Sequence, residues 1–92
     1  MYLGLDLGTS GLKAVLIDDA QCLRAEATAP LTVQRPHSGW SEQNPAEWLT
    51  ATETVVAALA AQHDLSAVRA MGLSGHMHGA TLLDKNDDVL RP

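Results

Sequence analysis

The stretch Asp6-Leu7-Gly8-Thr9-Ser10-Gly11-Leu12-Lys13 decides how the rest of this sequence is interpreted. It joins two short apolar runs, 2–7 and 12–17, through glycine and hydroxyl residues. Such a turn can point backbone N–H groups and two hydroxyls at phosphate oxygens, and Lys13 adds a cation. Asp6 can hold hydrated Mg²⁺, which prefers one or two carboxylates with waters and substrate phosphates. Spacing alone equally allows a glycine-rich hairpin with a solvent-facing aspartate, because short turns of this composition are common.

Three runs, 2–7, 12–17 and 22–29, predict strands that are joined by two tight connections. This order predicts an antiparallel meander. We expect Gly8 and Gly11 to supply positive φ angles in the first connection. That connection is not a Walker phosphate loop, because it joins two strands and lacks the G-x-x-x-x-G-K-[ST] spacing.

A helix is predicted to begin after Asn44 and to end near His63. Asn44 is a favourable N-cap, Pro45 suits the first helical position, and Glu47 can reach back to the Asn44 N–H. Residues at helical spacing form one stripe that is predicted to face the core. These residues are Trp48, Thr52, Val55, Val56 and Leu59.

The run 68–74 predicts a fourth strand that returns beside the first strand. Two further short strands, 80–83 and 89–90, flank a polar turn. The fold class is therefore α/β, a mixed sheet of a three-strand antiparallel meander and a returning strand, with a helix packed on it. The apolar first strand would be central and would carry Asp6 to the carboxyl edge of the sheet, where such folds bind ligands.

Composition excludes several classes of function for this chain of 92 residues. Six Lys and Arg against 11 Asp and Glu give a net charge of −5, which argues against a nucleic-acid partner. The single Cys22 cannot form an intramolecular disulfide, which favours a reducing compartment. There is no signal-like segment and no run near the roughly 18 apolar residues of a membrane span. We therefore expect a soluble, cytoplasmic protein with no membrane partner.

Three motifs in order resemble the FGGY carbohydrate kinases, which belong to the actin-like ATPase superfamily. Residues 6–10 look like the first phosphate loop of that superfamily, and 39–48, Gly-Trp-Ser-Glu-Gln-Asn-Pro-Ala-Glu-Trp, resemble the stretch before the first helix of the kinases. Residues 75–80, Gly-His-Met-His-Gly-Ala, resemble the Met-His-Gly substrate segment of the xylulokinase group, many of which have Gln in place of His76. The resemblance covers essentially the whole chain and favours the phosphate-loop interpretation.

The resemblance implies a ribonuclease H-like sheet in the first lobe of a two-lobed ATPase fold. Residues 1–92 would be the N-terminal part of that lobe, with the remainder of the enzyme absent. The full-length parent would transfer the γ-phosphate of ATP to D-xylulose, giving D-xylulose 5-phosphate. The general-base aspartate, the second phosphate motif and the adenosine motif of the family lie outside this chain. The fragment alone is therefore expected to be inactive.

The resemblance also implies roles for single residues. Asp6 would be catalytic by positioning Mg²⁺, through water, and the transferring phosphoryl group. Met77 and His78 would contact the ketopentose, His78 by hydrogen bonds to hydroxyls and Met77 by packing. The implied contacts of the ATP phosphates are Gly8, Thr9, Ser10 and Lys13.

Several alternatives stay open at this point. Another FGGY kinase, for glycerol, gluconate or a different pentulose, is one. A non-catalytic nucleotide-binding domain is another, although it has no need of Met77-His78-Gly79. His76 and His78 could chelate a metal, but no third ligand is evident. Asp84, Asn86 and Asp88 match the start of a calcium loop, yet a hairpin turn is the simpler interpretation. The oligomeric state, including a homodimer, stays open.

Overall fold

The structure is a computed structural model, and it describes residues 1–75 and 81–91. Every predicted helix and strand is present, with ends that differ by a few residues, and Ala80 of the predicted run 80–83 lies outside the described residues. The strands are β1 (Tyr2–Leu7), β2 (Gly11–Ile17), β3 (Leu23–Pro30), β4 (Ala70–Ser74), β5 (Leu82–Leu83) and β6 (Val89–Arg91). The helix α1 is Pro45–Ala60, and Leu65–Ala67 form a short 3-10 helix.

The first four strands form one mixed sheet in the order β3-β2-β1-β4. β1 is antiparallel to β2 and parallel to β4, and β2 is antiparallel to β3. These pairings confirm the predicted meander, the returning strand and the central position of β1. β5 and β6 form a separate antiparallel hairpin.

One face of the sheet is covered by α1, which packs against β2 and β3. Strand alternation places apolar side chains on this face, and the helix contributes residues at a spacing of four. The buried core is Leu3, Leu5, Leu12, Ala14, Leu16, Ala25, Ala29, Ala51, Val55 and Leu59. The predicted stripe is therefore partly wrong, because Trp48, Thr52 and Val56 are only half-buried while Ala51 is buried. Small residues at Ala51 and on β3 let the helix backbone approach the sheet closely.

The start of α1 is capped as predicted, with one difference. The Asn44 Oδ1 atom accepts the Ala46 N–H at 3.1 Å, and Pro45 occupies the first turn. The Glu47 carboxylate does not close a capping box with Asn44. It accepts the N–H of Thr32 at 3.4 Å instead, because the segment after β3 runs past the helix start. The carboxylate thereby links the helix to the sheet.

The helix ends at Ala60, three residues before the predicted end. The N–H groups of Gln62 and His63 both donate to the Leu59 carbonyl in a closing turn. Asp64 then caps the 3-10 helix by accepting the Ser66 N–H at 2.9 Å, and this hydrogen bond lowers the pKa of the Asp64 carboxyl. Within residues 1–75 and 81–91, no helix is both long and apolar enough to cross a membrane.

Candidate functional site

Asp6 lies at the carboxyl edge of the sheet, on the face opposite to α1. Its neighbours in register are Lys13 on β2 and Ser74, the last residue of β4. The Ser74 hydroxyl donates to the Asp6 Oδ1 atom at 2.7 Å, and both residues are exposed. The bond occupies Oδ1 and orients the carboxylate. The sequence indicated the returning strand but not its register, so the contribution of Ser74 was missed.

Lys13 lies on the same face as Asp6, but its charge is engaged by β3. Its Nζ atom lies 3.4 Å from the Glu26 Oε2 atom, and both side chains are about half exposed. Exposed ion pairs of this kind contribute only about 0–1 kcal/mol. An anion at the edge of the sheet could therefore draw the Lys13 amine away from Glu26 at little cost.

The turn between β1 and β2, residues 8–11, is built differently from the prediction. The Gly8 N–H donates to the Gly11 carbonyl at 2.9 Å, which leaves Thr9 and Ser10 exposed at the tip. Neither Gly8 nor Gly11 has a positive φ, so the prediction that these glycines supply positive φ angles was wrong. Gly11 is required by space, since a Cβ there would lie 2.9 Å from the Ala29 carbonyl oxygen. β3 approaches the turn too closely for a side chain.

Two contacts from other segments hold the central carbonyls of this turn. The Leu31 N–H donates to the Ser10 carbonyl at 3.1 Å. The Gln43 side-chain amide donates to the Thr9 carbonyl and accepts the Trp48 indole N–H at 3.1 Å. Gln43 carries no signal in the sequence beyond its place in the 39–48 motif, so this contact was not predicted.

A cavity of about 350 Å³ lies on the open face beside Asp6. This volume is at the lower end of the roughly 300–1,000 Å³ typical of small-molecule sites. A side chain at Gly4 would be crowded by this lining, since a Cβ there would lie only 3.0 Å from the Val15 Cγ2 atom. The lining residues are Gly4, Leu5, Asp6, Lys13, Val15, Gly72, Leu73 and Ser74.

The donor set at this edge suits one kind of metal site. In residues 1–75 and 81–91, no group of three or more His, Cys, Asp or Glu side chains is arranged to hold an ion. A single oriented carboxylate, beside hydroxyls and a cation, fits hydrated Mg²⁺ that is bound together with phosphate oxygens.

The sequence also predicted candidate sites at two other places, the turn at Asp84 and residues 76–78. Asp84 Oδ1 accepts the N–H groups of Asn86 at 2.8 Å and Asp88 at 3.0 Å, which closes the turn between β5 and β6. This arrangement agrees with the predicted hairpin turn. The predicted sugar contacts Met77 and His78, and the histidine pair His76 and His78, lie outside the described residues.

Comparison with known proteins places this chain in a family. Over residues 1–92 the chain matches the N-terminal domain of the FGGY family of carbohydrate kinases. The chain therefore belongs to the FGGY family of carbohydrate kinases. It is similar to the xylulose kinases of Klebsiella pneumoniae, at 53% identity, and Escherichia coli strain K12, at 52%. Each match covers 100% of this chain and 19% of the relative, so the chain spans about a fifth of their length.

Solved structures agree with the expected fold. A crystal structure of a xyloylose kinase from Brucella ovis matches 99% of this chain and 20% of its own, with a TM-score of 0.95 and 60% identity. A gluconate kinase from Lactobacillus acidophilus matches 97% of this chain and 18% of its own, with a TM-score of 0.90 but only 25% identity. The first-lobe fold of the actin-like ATPases is thereby confirmed. Fold alone does not separate kinases for different sugars.

Proposed function

We propose that residues 1–92 are the N-terminal part of the first lobe of an ATP-dependent xylulose kinase. The longer parent enzyme transfers the γ-phosphate of ATP to D-xylulose and releases D-xylulose 5-phosphate. One observation carries this assignment. Three relatives with more than half of the aligned residues identical to this chain, at 52–60%, are all xylulose kinases, whereas a gluconate kinase and a more distant xylulose kinase, both from Lactobacillus acidophilus, are each 25% identical.

Asp6 and the 8–11 turn supply the part of the chemistry that this chain can perform. Phosphoryl transfer depends mainly on in-line positioning and on neutralisation of phosphate charge. Bound Mg²⁺ supplies the neutralising charge. Asp6, oriented by Ser74, would hold the metal through water, and Lys13 would leave Glu26 for a phosphate oxygen. Gly8, Thr9 and Ser10 contact the β- and γ-phosphates.

The sugar is proposed to contact Met77 and His78. They come shortly after β4 in the sequence, three and four residues after Ser74. The Ser74 hydroxyl donates a hydrogen bond to Asp6, so the chain leaves the sheet beside the proposed phosphate site. His78 donates or accepts hydrogen bonds with sugar hydroxyls, and Met77 packs against the carbon skeleton.

The isolated chain is proposed to be inactive. It spans 19% of its xylulose kinase relatives, and the general base and the adenosine site belong to the remainder of the parent. The parent is proposed to be cytoplasmic.

The variant Asp6→Asn in the parent enzyme tests the proposed catalytic role. The amide keeps an oxygen for the Ser74 hydroxyl but removes the charge that holds the metal, so kcat should fall by about 100-fold or more. Glu53→Gln is the matched control, since it removes one exposed carboxylate on α1. An Asp6→Asn enzyme that turns over at the wild-type rate contradicts the assigned role.

A substrate panel on the wild-type parent tests the sugar. D-xylulose should give the highest kcat/KM, because Met77 and His78 resemble the substrate segment of that group. Equal rates on glycerol, gluconate and D-xylulose overturn the xylulose assignment. Binding of ATP without phosphorylation of any sugar indicates a non-catalytic nucleotide-binding domain instead.

A further inference from the structure

The side-chain amide of Gln43 connects the 8–11 turn to the start of α1. Its Nε2 group donates to the Thr9 carbonyl, and its Oε1 atom accepts the Trp48 indole N–H at 3.1 Å. An indole N–H can only donate and a carbonyl can only accept, so the two partners fix the amide in a single orientation. Gln43 and Trp48 are both half-buried, which limits competition from water.

The 8–11 turn needs support from outside itself. Two-residue connections between antiparallel strands are favoured when their residues take positive φ, because that geometry matches the strand twist. In the described part of the chain, positive φ is found at Gln21, Gly39 and Asp87 and not in this turn. The shape of the turn is therefore set by its partners, which are Gln43 at the Thr9 carbonyl and Leu31 at the Ser10 carbonyl.

We propose that Gln43 is a positioning residue that holds the 8–11 turn in the conformation that accepts the phosphates of ATP. This inference rests on the proposed function, which assigns Thr9 and Ser10 to phosphate binding. A carbonyl oxygen that turned toward a phosphate would repel it, whereas backbone N–H groups attract it. By engaging the Thr9 carbonyl, Gln43 keeps that oxygen away from the anion. Gln43 itself does not touch the reacting atoms.

The variant Gln43→Glu in the parent enzyme tests this role. Glutamate keeps an oxygen for the Trp48 indole but replaces the donor at Thr9 with a second oxygen, which repels the carbonyl. The Kd for ATP, measured by calorimetry without sugar, should rise by about tenfold, and the KM for ATP should rise with it. The KM for D-xylulose should stay unchanged.

Gln62→Glu is the matched control. It makes the same change in charge two residues after the end of α1, where the Gln62 amide donates a hydrogen bond to the Ala58 carbonyl at 3.4 Å. Its ATP affinity should equal that of the wild type. A Gln43→Glu enzyme with wild-type ATP affinity overturns the proposal. The proposal is also overturned if Gln43→Glu weakens the binding of ATP and of D-xylulose equally and lowers the unfolding midpoint, since that pattern indicates a purely structural role.

Two further variants cover the case in which Gln43→Glu fails to fold. Gln43→Met keeps the length of the side chain and removes both polar groups, and Trp48→Phe removes the indole N–H that fixes the amide, together with part of the ring. Each variant should weaken the binding of ATP without weakening the binding of D-xylulose, and Trp48→Phe should have the smaller effect. Wild-type ATP affinity in both variants overturns the proposal. If the wild type binds ATP but phosphorylates no sugar, the proposed function fails, while the calorimetric comparison still decides the role of Gln43.

Discussion

The two turns at the ends of β2 are stabilised in opposite ways. The second turn, residues 18–22, is stabilised from within: Asp18 Oδ1 accepts the N–H groups of Ala20 at 2.9 Å and Cys22 at 3.0 Å. Its Gln21 takes a φ of 63°, which lets the chain reverse tightly. The first turn, residues 8–11, has ordinary φ angles and is held by Leu31 and Gln43, which are distant in sequence.

This difference marks the second turn as a connection between strands and the first turn as a candidate binding loop. In the second turn, the Asp18 carboxylate accepts hydrogen bonds from backbone N–H groups of the same turn, so these polar groups already have partners. In the first turn, the exposed hydroxyls of Thr9 and Ser10 make no hydrogen bond to the described part of the chain. External support allows that turn to keep its hydroxyls available for a ligand. Four variants test the comparison, beginning with one that should affect both turns.

Leu16→Ala should destabilise both turns together. Leu16 is fully buried on β2, and its truncation leaves a cavity between the sheet and α1. The free energy of unfolding should fall by about 2–5 kcal/mol, measured by urea titration of the protein. Leu49→Ala is the control, because Leu49 is 70% exposed on α1 and should change stability little. Faster amide exchange in only one of the two turns contradicts a shared core.

Gly11→Ala should disturb the first turn alone. The new Cβ would lie 2.9 Å from the Ala29 carbonyl oxygen, so the backbone must shift, at a cost of about 1–3 kcal/mol in unfolding free energy. Gly72→Ala is the matched control, since a Cβ there meets nothing within 4 Å. If both alanines have the same unfolding midpoint as the wild type, close approach of β3 is not the reason for Gly11.

The sequence predicted the local features of the fold and missed those that depend on distant contacts. Asn44 and Pro45 identified the helix start because a cap is satisfied by residues two or three positions away. The reason for Gly11 and the role of Gln43 depend on β3 and α1, which meet the turn only after folding. Ser74 reaches Asp6 through a parallel register, which a single sequence does not specify. The Mg²⁺ and phosphate roles stay predictions.

Asp18→Ala should disturb the second turn alone. It removes the acceptor of two backbone N–H groups, so unfolding free energy should fall by about 1 kcal/mol in urea titration. The nearby Arg24 guanidinium, 3.7 Å from the other carboxylate oxygen, adds only about 0–1 kcal/mol, because Arg24 is about half exposed and Asp18 is only partly buried. Asp18→Asn keeps the Oδ1 acceptor and should restore most of the loss. Weaker ATP binding in Asp18→Ala would contradict the separation between the two turns.

Gln21→Gly should give the smallest effect, and in the stabilising direction. A left-handed conformation costs a non-glycine residue about 1–2 kcal/mol, and the larger entropy of glycine in the unfolded chain offsets about 0.5–1 kcal/mol of that gain. The net increase in unfolding free energy should be about 0.5 kcal/mol by urea titration. Gln21→Ala is the control, since alanine keeps the strain of a positive φ and should give no gain. A destabilised Gln21→Gly would mean that the glutamine side chain contributes to the turn, so that this turn, too, depends on more than Asp18 and its backbone.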